Sequence, residues 1–128
     1  MNFGNLISRK NLRLAWNRIL TAKNVSYKNL FRHHLDAYSL EIEENLESLR
    51  TRLRDGVYKP ISPVRIFSPT KSGLQRPITL LAIEDQIVLQ GLANLFADKI
   101  RARRRHLEGE SVYSYLLNEE DNIFFVRD

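Results

Sequence analysis

Residues 60–81, PISPVRIFSPTKSGLQRPITLL, constrain the fold of this chain more than any other stretch. Pro60, Pro63, Pro69 and Pro77 recur through it. Each removes a backbone N–H and clashes with the preceding helical turn, so no helix runs here. The β-branched residues Val64, Ile66, Ile78 and Thr79 flank Lys71-Ser72-Gly73-Leu74-Gln75. That pattern predicts two strands, about 63–69 and 76–81, joined by a loop of about four residues in which Gly73 takes positive φ. Pro77 cannot donate to a ladder, so its place is a strand end or an edge.

The flanks read as helices. Leu12, Ala15, Trp16, Ile19 and Leu20 follow helical spacing and predict a first helix over about 9–22. Ser26 is placed to cap a short second helix, with Tyr27, Leu30, Phe31 and Leu35 on one face. A third is expected behind Ser39 as N-cap, with Ile42, Leu46, Leu49 and Leu53 on its buried side. Glu41, Glu43 and Glu44 fill its first turn and Arg50, Arg52 and Arg54 its last, an order that complements the helix dipole. Gly56 then supplies a left-handed stop and Pro60 the exit. A long helix over about 83–104 opens on Glu84 and Asp85, with Ile83, Ile87, Val88, Leu92, Leu95, Phe96 and Ile100 as the expected buried stripe. Beyond Gly109 the tail has no clear period, and its apolar cluster Ile123-Phe124-Phe125-Val126 is expected to need a surface to pack on. The expected fold class is α+β, predominantly α-helical, with the helices packed around one β-hairpin. A hairpin alone is marginally stable in water, so it must lean on the 83–104 helix.

Composition bounds the class. The chain has 128 residues, 43% hydrophobic and 27% charged, the balance of one small globular domain. No apolar run approaches the roughly 20 residues that span a bilayer, so no membrane partner is expected. The N-terminus lacks a charged lead followed by an apolar core, so no signal peptide is read. With no cysteine, disulfides and thiolate metal sites are excluded, and a cytoplasmic location is the default expectation. The net charge of +5 is uneven: residues 1–60 carry 11 Lys/Arg against 6 Asp/Glu, and residues 61–128 carry 9 against 9. A basic domain attracts polyanions through phosphate neutralisation.

Two groups of cations are candidates for that work. With a loop over 72–75, Lys71 and Arg76 face each other across the ladder. Like charges so placed repel unless a polyanion lies between them. Lysine offers a point charge and arginine a fork matched to phosphate oxygens, so Lys-x-Gly-x-x-Arg at a hairpin tip reads as a phosphate clamp. Two ordinary surface cations on a solvated hairpin is the plainer alternative. Arg101, Arg103, Arg104 and Arg105 could track a nucleic-acid backbone, or simply complement the C-terminal end of their helix. His33 and His34, adjacent on a helix, point about 100° apart and cannot share a metal. Glu119-Glu120-Asp121 reads as a wet loop rather than a metal site. The chain has no phosphate-binding glycine loop, no zinc-protease motif and no paired carboxylates of the kind a two-metal phosphoryl-transfer site needs.

Residues 56–96 resemble the N-terminal fingers of bacterial reverse transcriptases, the RNA-directed DNA polymerases of group II introns, retrons and their defence-associated relatives. The matching motifs, in order, are Gly56-Val57-Tyr58-Lys59-Pro60, Pro69-Thr70-Lys71, Gly73, Arg76-Pro77-Ile78 and Asp85-Gln86-Ile87-Val88-Leu89-Gln90. The match covers about a third of the chain closely; the preceding helices and Ser111-Val112-Tyr113-Ser114-Tyr115 are similar more loosely. The resemblance implies a partial fingers subdomain of a right-hand polymerase: helices over 1–56, the fingers hairpin over 57–82, and over 83–128 a long helix leading to an absent palm. It implies that Lys71 and Arg76 contact the triphosphate of an incoming nucleotide and that Arg65 and Lys59 face the RNA template; Asp85 and Gln90 match the pattern and are expected to cap and pack rather than react. The family's catalytic aspartates lie downstream of this region, so the fragment is expected to hold no catalytic residue and no metal. Magnesium would belong to the complete parent enzyme. Expected partners are the RNA template, a nucleotide triphosphate, the palm and, through the face left bare, a second copy. A stand-alone basic helical RNA- or DNA-binding module working through the arginines at 101–105 is the competing reading. A protein-interaction domain is a third.

Overall fold

The computed structural model describes residues 2–21, 31–107, 117 and 121–124. The expected cap at Ser26, with Tyr27 and Leu30, lies outside these residues, as do the 111–115 segment, Glu119, Glu120, Phe125 and Val126. Five α-helices and one antiparallel hairpin are described, in the order α1 (Phe3–Leu6), α2 (Arg9–Thr21), α3 (Arg32–Ser39), α4 (Ile42–Arg54), β1 (Val64–Pro69), β2 (Gln75–Leu80) and α5 (Ile83–Arg104), which passes into a 3₁₀ turn over Arg105–Leu107. The fold is therefore α+β and mostly helical, as expected. No described helix is long and apolar enough to cross a membrane.

Local chemistry explains most boundaries. Asn2 caps α1 by accepting from the Asn5 N–H at 2.9 Å. This four-residue turn is too short to show a period and was not anticipated. The hydroxyl of Ser8 accepts from the Asn11 N–H at 3.2 Å and starts α2. Gly56, at φ +71°, ends α4 in the expected way. Its N–H donates to the Leu53 carbonyl and the Val57 N–H to that of Arg52, the paired bonds of a Schellman stop. Ser39 is a correction: it closes α3, donating to the Asp36 carbonyl at 2.7 Å, and the N-cap of α4 is Glu41, which makes no side-chain cap bond.

The core lies among α2, α3, α4 and α5. Leu12, Ala15, Trp16, Ile19, Leu35, Leu46, Leu49, Leu53 and Ile87 form one buried cluster, with the Trp16 and Tyr38 rings tilted against each other at 5.3 Å. Gly91 lets α5 approach closely, since a Cβ there would lie 3.2 Å from Asn11 Nδ2 and 3.3 Å from Leu6 Cδ1. Asn11 fills that seam, donating to the carbonyls of Leu6 and Gly91 at 3.0 and 3.2 Å.

The buried side of α5 differs from expectation. Ile87, Gly91, Asn94 and Ala97 face the core, whereas Phe96 and Ile100 are 46% and 47% exposed. The small residues 91 and 97 win the interface because they let backbones meet, and the larger residues are left outside.

The hairpin is not enclosed by helices. No residue of β1 or β2 is buried, and only Ile66, Ser68, Ile78 and Leu80 are half-covered. Paired residues share a face of the ribbon, and the register matches Ile66 with Ile78 and Ser68 with Arg76. Ile66, Ser68, Ile78 and Leu80 therefore mark the more covered face of the ribbon, which Arg76 shares; Arg65, Phe67, Pro77 and Thr79 lie on the other. The helices pack on one another and the ribbon projects from them as an arm.

Candidate functional site

The tip of the arm is a three-residue loop, Lys71-Ser72-Gly73, one residue shorter than expected and shifted toward the N-terminus. The Thr70 N–H donates to the Leu74 carbonyl at 2.8 Å and the Gly73 N–H to the Thr70 carbonyl at 3.0 Å. Gly73 sits at φ +82°. This is a β-turn closed by a glycine bulge, a common three-residue hairpin connection. The Thr70 hydroxyl reinforces it, donating to the Leu74 carbonyl at 2.7 Å.

That register changes the geometry of the two expected clamp residues. Lys71 stands in the loop and has no cross-strand partner, while Arg76 pairs with Ser68. The expectation that Lys71 and Arg76 oppose each other across the ladder is therefore corrected. The glycine bulge is reached one residue earlier, so closure falls on Thr70 and Leu74. Lys71 projects from the tip, Arg76 from the more covered face of β2, and Arg65 from the opposite face; all three are exposed. Lys59, also exposed, lies at the base of the arm. From Gly56 through Ile83 the sequence contains no Asp or Glu, so Lys59, Arg65, Lys71 and Arg76 make the whole arm cationic. Exposed Phe67, Val64 and Leu74 add apolar surface to it.

The base of the arm is pinned by carboxylates at the start of α5. Asp85, only 8% exposed, accepts from the Ile61 N–H at 2.9 Å and from the Tyr58 hydroxyl. Next to it, Glu84 takes a two-pronged bond from Arg52 at 2.9 and 2.5 Å and accepts from Tyr38 at 3.2 Å. Burial raises the pKa of both tyrosines, and the neighbouring carboxylates push the same way. The bond to Glu84 raises that of Arg52. Asp85 thus packs as expected but caps nothing: the N-cap of α5 is Ala82, without a side-chain bond, and the carboxylate holds the 58–61 segment instead. Gln90 donates to Asn94 Oδ1 at 3.0 Å, within the polar seam between α5 and α2.

In that seam Arg18, buried to 4%, donates to Asn94 Oδ1 at 2.6 Å and to the Asp121 carbonyl at 2.8 Å, and lies 5.0 Å from the centre of the Phe124 ring. Desolvation lowers its pKa against the pull of Asp121 and Asp98. Sequence reasoning missed Arg18 because a cation on an amphipathic helix reads as solvent-facing.

The second basic group is not one surface. Arg103 and Arg105 are exposed, but Arg101 and Arg104 are half-buried, with Arg101 donating to the Leu117 carbonyl at 2.6 Å. It also sits at the far end of α5 from the arm, about 30 Å along the axis at 1.5 Å per residue. The two groups cannot grip one small ligand. Among the described residues no cluster of acids and histidines could hold a metal ion. Comparisons of the chain with protein-family models, curated proteins and solved structures found no match.

Proposed function

We propose that this chain is the fingers region of an RNA-directed DNA polymerase and that its hairpin meets template RNA and the phosphates of an incoming nucleotide. The observation that carries the proposal is the arm itself: a ribbon standing clear of the core, free of acidic residues, with Lys71 at its tip, Arg76 and Arg65 on its two faces and Phe67 exposed. Phosphate oxygens would be met by Arg76 from one side and Lys71 from above rather than by a facing pair. Bases would stack on Phe67 beside Arg65. Catalysis would belong to a palm carrying the metal-binding aspartates. The reading as a stand-alone module acting through the arginines at 101–105 is weaker, because Arg101 and Arg104 are drawn into the fold.

The test is titration of the chain with a deoxynucleoside triphosphate and with single-stranded RNA at low salt. Removing one charge-assisted contact should weaken triphosphate binding about 10–100-fold in Arg76→Ala and in Lys71→Ala. Phe67→Ala should weaken RNA alone. Absence of binding to either ligand, or binding indifferent to Arg76 and Lys71, refutes the proposal. Loss of RNA binding only on replacing Arg103 and Arg105 would establish the module reading instead.

A further inference from the structure

Among the described residues, helix α5 carries apolar side chains on two sides, and the one turned away from the core stays largely exposed. At 100° per residue, Leu89, Ala93, Phe96 and Ile100 fall on one line. The core-facing residues Ile87, Gly91, Asn94 and Ala97 lie on the other side of the helix. Leu89, Phe96 and Ile100 are 56%, 46% and 47% exposed. A helix with apolar residues all round is ordinarily covered all round. The spacing i, i+4, i+7, i+11 over about 16 Å is the pattern by which one helix receives another along its length.

The charges beside this row select what covers it. Arg103 ends the row and Lys99 borders it, both exposed. Of the acids of α5, Glu84 is engaged by Arg52 and Tyr38, Asp85 by Tyr58 and Ile61, and Asp98 lies half a turn away from the row. A second copy packing its own α5 row against this one would bring apolar residues but no free carboxylate along that row for Lys99 or Arg103. We infer that the outer face of α5 is a docking surface for an acidic amphipathic helix of a partner protein, with its apolar side on Leu89, Phe96 and Ile100 and its carboxylates along Lys99 and Arg103. This inference is independent of the polymerase reading, since it uses neither the hairpin nor a nucleotide.

The probe is a labelled three-heptad helical peptide with leucine at the a and d positions and glutamate at e and g, titrated with the full chain. Two controls carry lysine for glutamate or serine for leucine. The glutamate–leucine peptide should bind and the controls should not. Phe96→Asp should weaken binding about tenfold or more, as loss of a central anchor does. Its thermal unfolding should stay close to that of the parent, because the side chain is half-exposed already. Lys99→Glu with Arg103→Glu should transfer preference to the lysine peptide. Failure of any peptide to bind, equal binding of the serine peptide, or indifference to Phe96→Asp would overturn the inference. So would a concentration-dependent dimer that Phe96→Asp abolishes and the peptide does not displace, which would assign the face to a second copy.

Discussion

Replacing Asp85 with alanine should loosen the arm at its root. The carboxylate is 8% exposed and holds two donors from residues far back along the chain, the Ile61 N–H and the Tyr58 hydroxyl. Hydrogen bonds to a charged group contribute about 1.5–3 kcal/mol each, and a donor left half-covered recovers part of that from water. The expected cost is therefore about 2–4 kcal/mol. For 128 residues, an unfolding entropy of about 2.1 cal/mol/K per residue makes this a fall of about 7–15 °C in Tm. Tyr58→Phe removes one bond and should cost about 1.5 kcal/mol. The double variant should cost clearly less than the sum, by about 1 kcal/mol or more, because both changes delete the same contact. Urea unfolding of the four proteins measures the cycle, and amide exchange at Ile61 reports the second bond directly. A cost below about 0.5 kcal/mol for Asp85→Ala, or strict additivity, would show that the 57–61 segment is held by packing alone and would refute the pinning argument.

Gly91→Val should destabilise the chain by about 2 kcal/mol in the same assay, because the added atoms meet Asn11 and Leu6 across the α1–α2–α5 seam. Gly73→Ala should cost about 1 kcal/mol from the positive φ alone, since no atom lies within 4 Å of the new Cβ; amide exchange should rise at Thr70 and Gly73 while Trp16 fluorescence is unchanged. Stability should also fall with alkali. Tyr38 and Tyr58 keep their protons in the folded state above pH of about 10, where the unfolded chain releases them, so the folded state binds more protons and ΔG of unfolding drops as pH rises. Thermal melts across pH 8–11, with a shallower decline in Tyr58→Phe, check the sign.

What was legible in the sequence is what local chemistry decides. Prolines and β-branched residues marked the strands, Gly56 the end of α4, and periodicity the long helices. Tertiary choices were not. The rule that large apolar residues face inward predicted Phe96 and Ile100 in the core, but close approach of α2 chose Gly91 and Ala97. The hairpin register turned on one residue: Gly73 was read as a bend, and whether the bend holds three or four residues decides if Lys71 joins the ladder. Arg18 was invisible because its burial depends on Asn94 and on the carbonyl of Asp121, which only the fold brings near. The carboxylates at 84 and 85 announced a helix start, yet their partners Arg52, Tyr38 and Tyr58 come from segments that sequence spacing does not connect.

The prolines of the ribbon have a consequence for crowded solutions. Counting outward from the Thr70–Leu74 closure, positions 63, 65, 67 and 69 of one strand and 75, 77 and 79 of the other turn their amides away from the ribbon. Pro63 and Pro69 bracket the first rim, and Pro77 interrupts the second. Neither margin offers an unbroken row of donors to a passing strand, so this bare ribbon can stay extended into solvent without seeding stacks of itself.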